Sequence, residues 1–297
     1  MARTARLALG FLLLAGLSWP AEAQRAKAKA APAKQEAVVD IERAYYRQRD
    51  MVEETMATVL PSEPGQPHVY FVGFSSFAAQ DVFVREIVAA RDIVEQRFGT
   101  RGRSVLLINH AATLDDVPIA SATNLDMVLR RLGKIMNPAK DVLFLFMTSH
   151  GVRGQFISHF NGFNLNHITP DGLAKSLEGA GIKNRIIVVS ACFSGGFVPA
   201  LSAPEALVMT AARADRTSFG CSHQREWTYF GDALFNRSLR GSSSLLDAFA
   251  NARALVRKWE AADKLTPSEP QIAVGEAIRP LLGGLAERYG RAAAVQN

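Results

Sequence analysis

The feature that most constrains the fold is a series of short apolar runs separated by segments of helical periodicity. The most apolar run after the N-terminal segment covers residues 142–147, and another covers residues 186–189. Continuous runs of this kind, without strict alternation, are typical of strands buried on both faces of a parallel sheet. Earlier in the chain, between the apolar runs 69–72 and 104–108, residues 84–98 place apolar side chains at helical spacing. The sequence therefore predicts an α/β fold, with a mostly parallel sheet between two layers of helices.

The first residues have the pattern of a secretory signal. Arg3 and Arg6 precede an apolar run over residues 7–17, and residues 21–23 (Ala-Glu-Ala) supply a small-x-small cleavage site. We predict a signal peptide at residues 1–23 and an exported protein that is periplasmic or secreted. A retained N-terminal anchor is the alternative. After cleavage, no other stretch approaches the roughly 18 apolar residues that a spanning helix needs.

The rest of the chain divides into three parts. Residues 24–64 form a linker rich in Lys and Ala followed by a helix, residues 65–278 form a single domain, and residues 279–297 form a C-terminal tail. The formal net charge is +6, but no basic stripe interleaved with aromatic residues runs through the predicted domain. Nucleic acid is therefore not expected as a partner. The sequence leaves the oligomeric state open.

Two of the predicted strands end in residues that can do chemistry. His150 follows the run 142–147, and Cys192 follows the run 186–189. The carboxyl ends of parallel strands meet at one edge of a sheet, so we expect these side chains to lie close together. An imidazole beside a thiol can activate it as a nucleophile and can protonate a leaving amine. The backbone amides of Gly151 and Cys192 are candidate donors to a developing oxyanion.

Other catalytic chemistries find less support. Cys221 either forms a disulfide with Cys192, which would silence that thiol, or stays free. Ser190 and Ser194 lack the Gly-x-Ser-x-Gly pattern of a hydrolase nucleophile. The remaining histidines share no metal-ligand spacing with other His, Asp or Glu residues. We therefore expect no metal and no cofactor.

The residues around the two strand ends resemble the legumain family, the C13 cysteine peptidases, within the wider group that includes the caspases. Four blocks carry the resemblance: Phe-Met-Thr-Ser-His150-Gly151, then Ile-Val-Val-Ser-Ala191-Cys192-Phe-Ser-Gly195-Gly, then Met-Thr-Ala-Ala over residues 209–212, and Thr-Tyr-Phe-Gly-Asp over residues 228–232. The resemblance covers roughly residues 69–239, and the blocks are specific in order and spacing.

The resemblance implies a caspase-like α/β/α sandwich with a mostly parallel sheet. It also implies that Cys192 is the nucleophile and His150 the general acid/base, with the amides of Gly151 and Cys192 as oxyanion hole. Ser218 and Asp232 fall on positions that line the family's pocket for the side chain before the scissile bond.

The chain departs from the legumain pattern in the substrate pocket. Ser149 replaces the acidic residue directly before the catalytic His, and Phe193 replaces the Glu directly after the catalytic Cys. The stretch 74–81 lacks the family's Asn and its Arg-His pair. Asparaginyl specificity is therefore not carried over.

The predicted function is an exported cysteine endopeptidase that cleaves protein or peptide substrates through a thioester acyl-enzyme. We expect substrate contacts from residues near the dyad, namely Ser190, Phe193, Ser218, Asp232 and Asp81. The two aspartates favour a polar or basic side chain before the cut, as a hypothesis. One alternative is a catalytically silent peptide-binding or scaffolding protein of the same fold, and another is a transamidase that uses the same dyad.

Overall fold

A six-stranded sheet forms the centre of the computed structural model, which describes residues 40–242 and 244–294. The strands are β1 (Val69–Ser75), β2 (Ser104–Ile108), β3 (Val142–Thr148), β4 (Gly151–Val152), β5 (Gln155–Phe156), β6 (Arg185–Ser190), β7 (Ala206–Thr210) and β8 (Gln271–Val274). Their order in the sheet is β2-β1-β3-β6-β7-β8, and β4 and β5 form a separate antiparallel hairpin. All pairs in the main sheet are parallel except β7–β8.

Helices cover both faces of this sheet. They are α1 (Ile41–Ala57), α2 (Asp81–Phe98), α3 (Ala122–Ile135), α4 (Pro170–Gly179), α5 (Val198–Leu201), α6 (Tyr229–Gly231), α7 (Leu245–Ala262) and α8 (Arg279–Ala294). A π-helical segment, Asp232–Leu239, continues α6. One hydrophobic cluster packs α1, α3, α4 and α5 against the sheet, and a second packs α2, the π-helical segment, α7 and α8 against its other face. The predicted α/β/α sandwich with a mostly parallel sheet is confirmed.

Strand β3 shows why the core strands are apolar throughout. Leu143, Leu145 and Met147 enter the first cluster, whereas Phe144 and Phe146 enter the second, and all five are fully buried. Burying such a side chain contributes about 1.5–3 kcal/mol, and both faces of the strand contribute. An alternating polar residue here would be buried without a partner, which explains the continuous apolar run.

The chain ends differ in how much of them is described. The predicted signal peptide, residues 1–23, lies outside the described residues. The segment 279–297, expected as a tail, contains helix α8, whose Leu282 and Leu285 are buried in the second cluster. Tyr289 packs edge-on against Phe98 with ring centroids 5.9 Å apart.

Within residues 40–242 and 244–294, no helix has the length and hydropathy needed to cross a membrane.

Candidate active site

The register of β3 and β6 brings His150 and Cys192 to the same edge of the sheet. Thr148, the last residue of β3, pairs with Ser190, the last residue of β6. The N–H of Ser149 donates to the Ser190 carbonyl at 3.2 Å and continues the pairing beyond the strands. His150 and Cys192 each follow the paired position by two residues. The neighbouring parallel strands expected from the sequence are therefore present.

The ring of His150 is held on three sides. Its Nε2 lies 2.6 Å from Oε1 of Gln80. The rings of Phe77 and Phe83 pack against it edge to face, with centroid distances of 4.5 and 5.2 Å. This burial lowers the pKa of His150 below its usual value, because desolvation disfavours the imidazolium. A neutral imidazole, which can accept a proton, is thus favoured near neutral pH.

Gln80 determines which nitrogen of His150 carries the proton. Its own Nε2 donates to the carbonyl of Cys221 at 3.2 Å. This bond orients the amide so that Oε1, an acceptor, faces His150. Nε2 of His150 must then be protonated to donate to Oε1. Nδ1 is left as the nitrogen with a free lone pair.

The thiol of Cys192 lies against Ser218. The Ser218 N–H donates to the Cys192 Sγ at 3.3 Å. The Ser218 hydroxyl lies 3.7 Å from Sγ, and the Ser218 carbonyl oxygen lies 3.5 Å from it. Within the part of the chain that the structure describes, the Cys192 N–H donates no hydrogen bond. The sulfur is thus fixed from one side by Ser218, while the Cys192 amide keeps its donor capacity.

The residue after Cys192 has an unusual backbone. Phe193 has φ = 57°, a left-handed conformation that costs a non-glycine residue roughly 1–2 kcal/mol. Its N–H donates to the Arg216 carbonyl at 2.7 Å, and the Arg153 guanidinium lies 5.3 Å from its ring centroid. Arg153 lies in the turn of the β4–β5 hairpin, directly after His150. The loops that follow the two strands therefore contact each other through this pair.

Gly151 passes close to the loop that carries Cys192. A Cβ atom at this position would lie 2.2 Å from the Cys192 carbonyl oxygen and 3.1 Å from the Cβ of Ala191. Only glycine lets the chain after His150 pass so close to the loop of Cys192. The two amides expected to bind an oxyanion thus belong to residues in direct contact.

The remaining residues expected to contact substrate occupy different environments. Ser218 contacts the Cys192 thiol, as described above. Ser190 is buried, and its hydroxyl lies 3.2 Å from that of Thr228. Phe193 is half-buried beside Cys192. Ser218 and Phe193 are therefore the members of the set that adjoin the thiol with part of their surface exposed.

Both aspartates lie close to polar side chains other than the proposed dyad. Asp81 lies 3.5 Å from Arg85 and 3.4 Å from His110. Asp232 accepts a hydrogen bond from Arg237 at 3.2 Å. Among the described residues, neither carboxylate forms a hydrogen bond or ion pair with Cys192 or Ser218.

Cys221 differs from Cys192 in its surroundings. Both cysteines carry free thiols. Burial, with smaller contributions from the neighbouring Cys192 and Glu86, raises the pKa of Cys221 to about 12. The Cys221 thiol therefore stays protonated near neutral pH, which makes it a poor nucleophile.

Sequence reasoning missed the side chains that hold His150. Gln80, Phe77 and Phe83 all lie in or beside the stretch 74–81, from which the sequence suggested only Asp81 as a site residue. Gln80 is 70 residues from His150 along the chain. The three residues are spaced three apart around the start of α2. This spacing is too common in helices to indicate a site.

A comparison of the sequence with protein families identifies the family of this chain. The sequence profile of the peptidase C13 family matches residues 123–280, more than half of the chain. This chain belongs to the peptidase C13 family. The C13 match includes His150 and Cys192, and it confirms the resemblance seen in the sequence blocks.

Two further comparisons complete the description of this C13 family member. Among solved structures, caspase-1 from Spodoptera frugiperda is similar, with 14% sequence identity and a TM-score of 0.48. That match covers 73% of this chain and 93% of the caspase chain. A search of the curated proteins found no match.

Proposed function

We propose that this C13 family member is an exported cysteine endopeptidase, with Cys192 as nucleophile and His150 as general acid/base. The observation that carries the proposal is the pairing of Thr148 with Ser190, which brings the two side chains to one sheet edge. Export to the periplasm or the exterior is proposed from the signal-like pattern of residues 1–23. Polypeptides are the proposed substrates because the C13 family consists of peptidases.

The first half of the proposed reaction forms the acyl-enzyme. Nδ1 of His150 accepts the proton of the Cys192 thiol, and the thiolate attacks the carbonyl carbon of the scissile bond. The carbonyl electron pair moves to oxygen, where the N–H groups of Gly151 and Cys192 stabilise the negative charge. Collapse of this intermediate breaks the C–N bond. His150 gives its proton to the leaving amine, and a thioester remains.

The second half hydrolyses the thioester. His150, neutral again, accepts a proton from a water molecule as its oxygen attacks the thioester carbonyl. The C–S bond breaks, and the proton returns to the sulfur of Cys192. The hydrogen bond from Nε2 to Gln80 keeps the same tautomer available for both halves, because Oε1 of Gln80 only accepts.

Active-site labelling tests the proposal directly. Purified protein is incubated in reducing buffer with a broad peptidyl acyloxymethyl ketone, and the modified residue is identified by mass spectrometry. We expect labelling of Cys192 in the parent protein and loss of labelling in Cys192→Ala and His150→Ala. Cys221→Ala is the matched control and should label normally. Label on Cys221, or labelling that persists without His150, would contradict the proposal.

A further prediction concerns Gln80. Gln80→Ala is expected to lower kcat/KM for peptide cleavage by ~10-fold, since the His150 ring loses its orienting partner. Gln80→Glu keeps an acceptor but adds a negative charge, which raises the pKa of the adjacent His150. Because the neutral imidazole is the active form, the acid limb of the kcat/KM profile should move to higher pH.

The control for these variants is Gln155→Ala, in the exposed edge of the β4–β5 hairpin. It should leave both the rate and the pH profile unchanged. The measurement is kcat/KM between pH 5 and 9 with a fluorogenic peptide mixture. An acid limb in Gln80→Glu that coincides with that of the parent protein would contradict the role given to Gln80.

A further inference from the structure

A completely buried carboxyl group lies beneath the proposed active site. Glu86, in the second turn of α2, has no exposed surface. Its Oε2 accepts a hydrogen bond from Thr148 Oγ1 at 2.7 Å, and its Oε1 accepts one from Thr228 Oγ1 at 2.8 Å. Burying a carboxylate is unfavourable unless hydrogen bonds compensate for the lost hydration. The mechanism proposed above does not use this group.

The two threonines connect Glu86 to both strand ends. Thr148 ends β3, two residues before His150. The hydroxyl of Thr228 lies 3.2 Å from that of Ser190, which ends β6 two residues before Cys192. One carboxyl group therefore joins the two segments that carry the proposed dyad.

The fit around Glu86 is close. Thr228 is the N-cap of α6, where its hydroxyl also accepts from the Gly231 N–H at 3.1 Å. A Cβ atom at Gly231 would lie 1.5 Å from Oε1 of Glu86. The carboxyl group is thus packed against backbone and cannot be displaced without moving the start of α6.

We propose that Glu86 is a positioning residue whose hydrogen bonds to Thr148 and Thr228 hold the carboxyl ends of β3 and β6 at the spacing that His150 and Cys192 require. This inference rests on the proposed peptidase function. Glu86 acts through the strand ends and contacts neither substrate nor the reacting atoms.

The direction of the hydrogen bonds makes this positioning depend on ionisation. A carboxylate accepts from both threonines, and Ser190 then donates to Thr228. A protonated Glu86 must itself donate to one threonine, whose hydroxyl hydrogen then has to turn to another acceptor. For Thr228 that acceptor is Ser190, so the bond to the Cys192 strand reverses.

Ionisation of Glu86 falls in the physiological range. Burial is the main cause that raises its pKa to about 7; the two threonine hydrogen bonds partly offset it, and the charge of Asp232 on the π-helical segment acts in the same direction as burial. The Cys221 thiol also faces this carboxyl group. Strands β1 and β3, on which α2 packs, contain no charged residue. Above about pH 7 the carboxylate form, with both threonine bonds accepted, becomes the major one.

The test compares Glu86→Gln with the parent protein. Glutamine has nearly the same shape, with one oxygen that accepts and one NH₂ group that donates, so at every pH it imitates a carboxyl group that donates on one side. At pH 8 we expect kcat for peptide cleavage to fall by ~10-fold, with KM unchanged within about twofold. The parent profile should show an acid limb near pH 7 in addition to that of His150, and Glu86→Gln should lack it.

A matched control is Glu260→Gln. Glu260, on α7, is also a buried acid, but its carboxylate accepts from the N–H of Ser268 rather than from Thr148 or Thr228. This variant should keep the parent pH profile. Thr148→Val keeps Glu86 but removes the hydroxyl that donates to its Oε2, so kcat should fall as it does in Glu86→Gln. It serves as the second variant if Glu86→Gln folds poorly by circular dichroism.

The outcomes separate this inference from the proposed function. An active parent protein with the same pH profile and kcat in Glu86→Gln would overturn the positioning role alone. A parent protein that neither cleaves peptides nor labels at Cys192 would overturn the peptidase proposal, and the positioning role with it. Loss of the limb near pH 7 in Glu86→Gln, but not in Glu260→Gln, would support both.

Discussion

Cys192→Ala and His150→Ala are each expected to lower kcat/KM for peptide cleavage by at least ~10⁴-fold, because each removes a group that forms or breaks a bond in the proposed reaction. Without the thiol there is no acyl-enzyme. Without the imidazole, the proposed reaction has no group to accept the thiol proton or to protonate the leaving amine. Both losses should appear in kcat, with little change in KM, since substrate contacts are retained.

The double variant provides the sharper test of a dyad. Residues that act as one unit lose their effect together, so removing both should cost little more than removing either. We expect Cys192→Ala/His150→Ala to match the single variants within about threefold. Losses that multiply would show that the two residues act independently, which would contradict the proposed mechanism.

Matched controls separate chemistry from folding. Cys221→Ala removes the other cysteine, whose thiol stays protonated near neutral pH. His223→Ala removes an exposed histidine of the loop that follows Cys221. Both should stay within about threefold of the parent kcat/KM. A large loss of activity in Cys221→Ala would show that Cys192 is not the nucleophile, or not the only cysteine that the reaction needs.

The core strands were the most predictable part of the fold. The predicted run 142–147 lies within β3 (Val142–Thr148), and the predicted run 186–189 lies within β6 (Arg185–Ser190). Buried strands must be apolar on both faces, so their signal is local and strong. The antiparallel direction of the last strand is not local, because it depends on how α7 returns the chain to the sheet edge.

Helix starts were less predictable because capping competes with packing. Thr and Asn are common N-cap residues, yet neither Thr123 nor Asn124 caps α3: the cap is Ser121, whose side chain accepts from the Asn124 N–H. The Asn124 side chain is buried and donates to Gln48 of α1 and to the carbonyl of Ile119. Asn124, a residue type that suits an N-cap, instead connects α3 to α1 through its hydrogen bond to Gln48.

In the candidate site too, residues with a local sequence signal could be predicted, whereas residues placed by long-range packing could not. His150 and Cys192 could be brought together from the sequence because parallel strands align their carboxyl ends. Gln80 and Glu86 could not, since their roles depend on the position of β1 and α2 beside β3. Glu86 follows Val82 and Phe83 on the buried face of α2, where a single acid carries no sequence signal for burial. Only the surrounding hydroxyls explain it.

Gly151→Ala is expected to lower kcat/KM by about 10²-fold or more while leaving the fold intact. The added Cβ would lie 2.2 Å from the Cys192 carbonyl oxygen, whereas real Cβ contacts stay above 3.0 Å. The strand ends must therefore separate by roughly 1 Å, and a misplacement of that size costs about 10²-fold when reacting groups are positioned by the fold. The Gly151 amide, a proposed oxyanion donor, moves with the chain.

Gly196→Ala is the matched control, because a Cβ atom there meets nothing within 4 Å. It lies in the same loop as Cys192 but should keep kcat/KM within about twofold. Thermal unfolding of both variants, followed by circular dichroism, checks that the loss in Gly151→Ala is not a loss of structure. If Gly151→Ala instead cleaves peptides at the parent rate, the close contact between the two strand ends is not required for the reaction. The amide of Gly151 would then have to be removed from the proposed oxyanion hole.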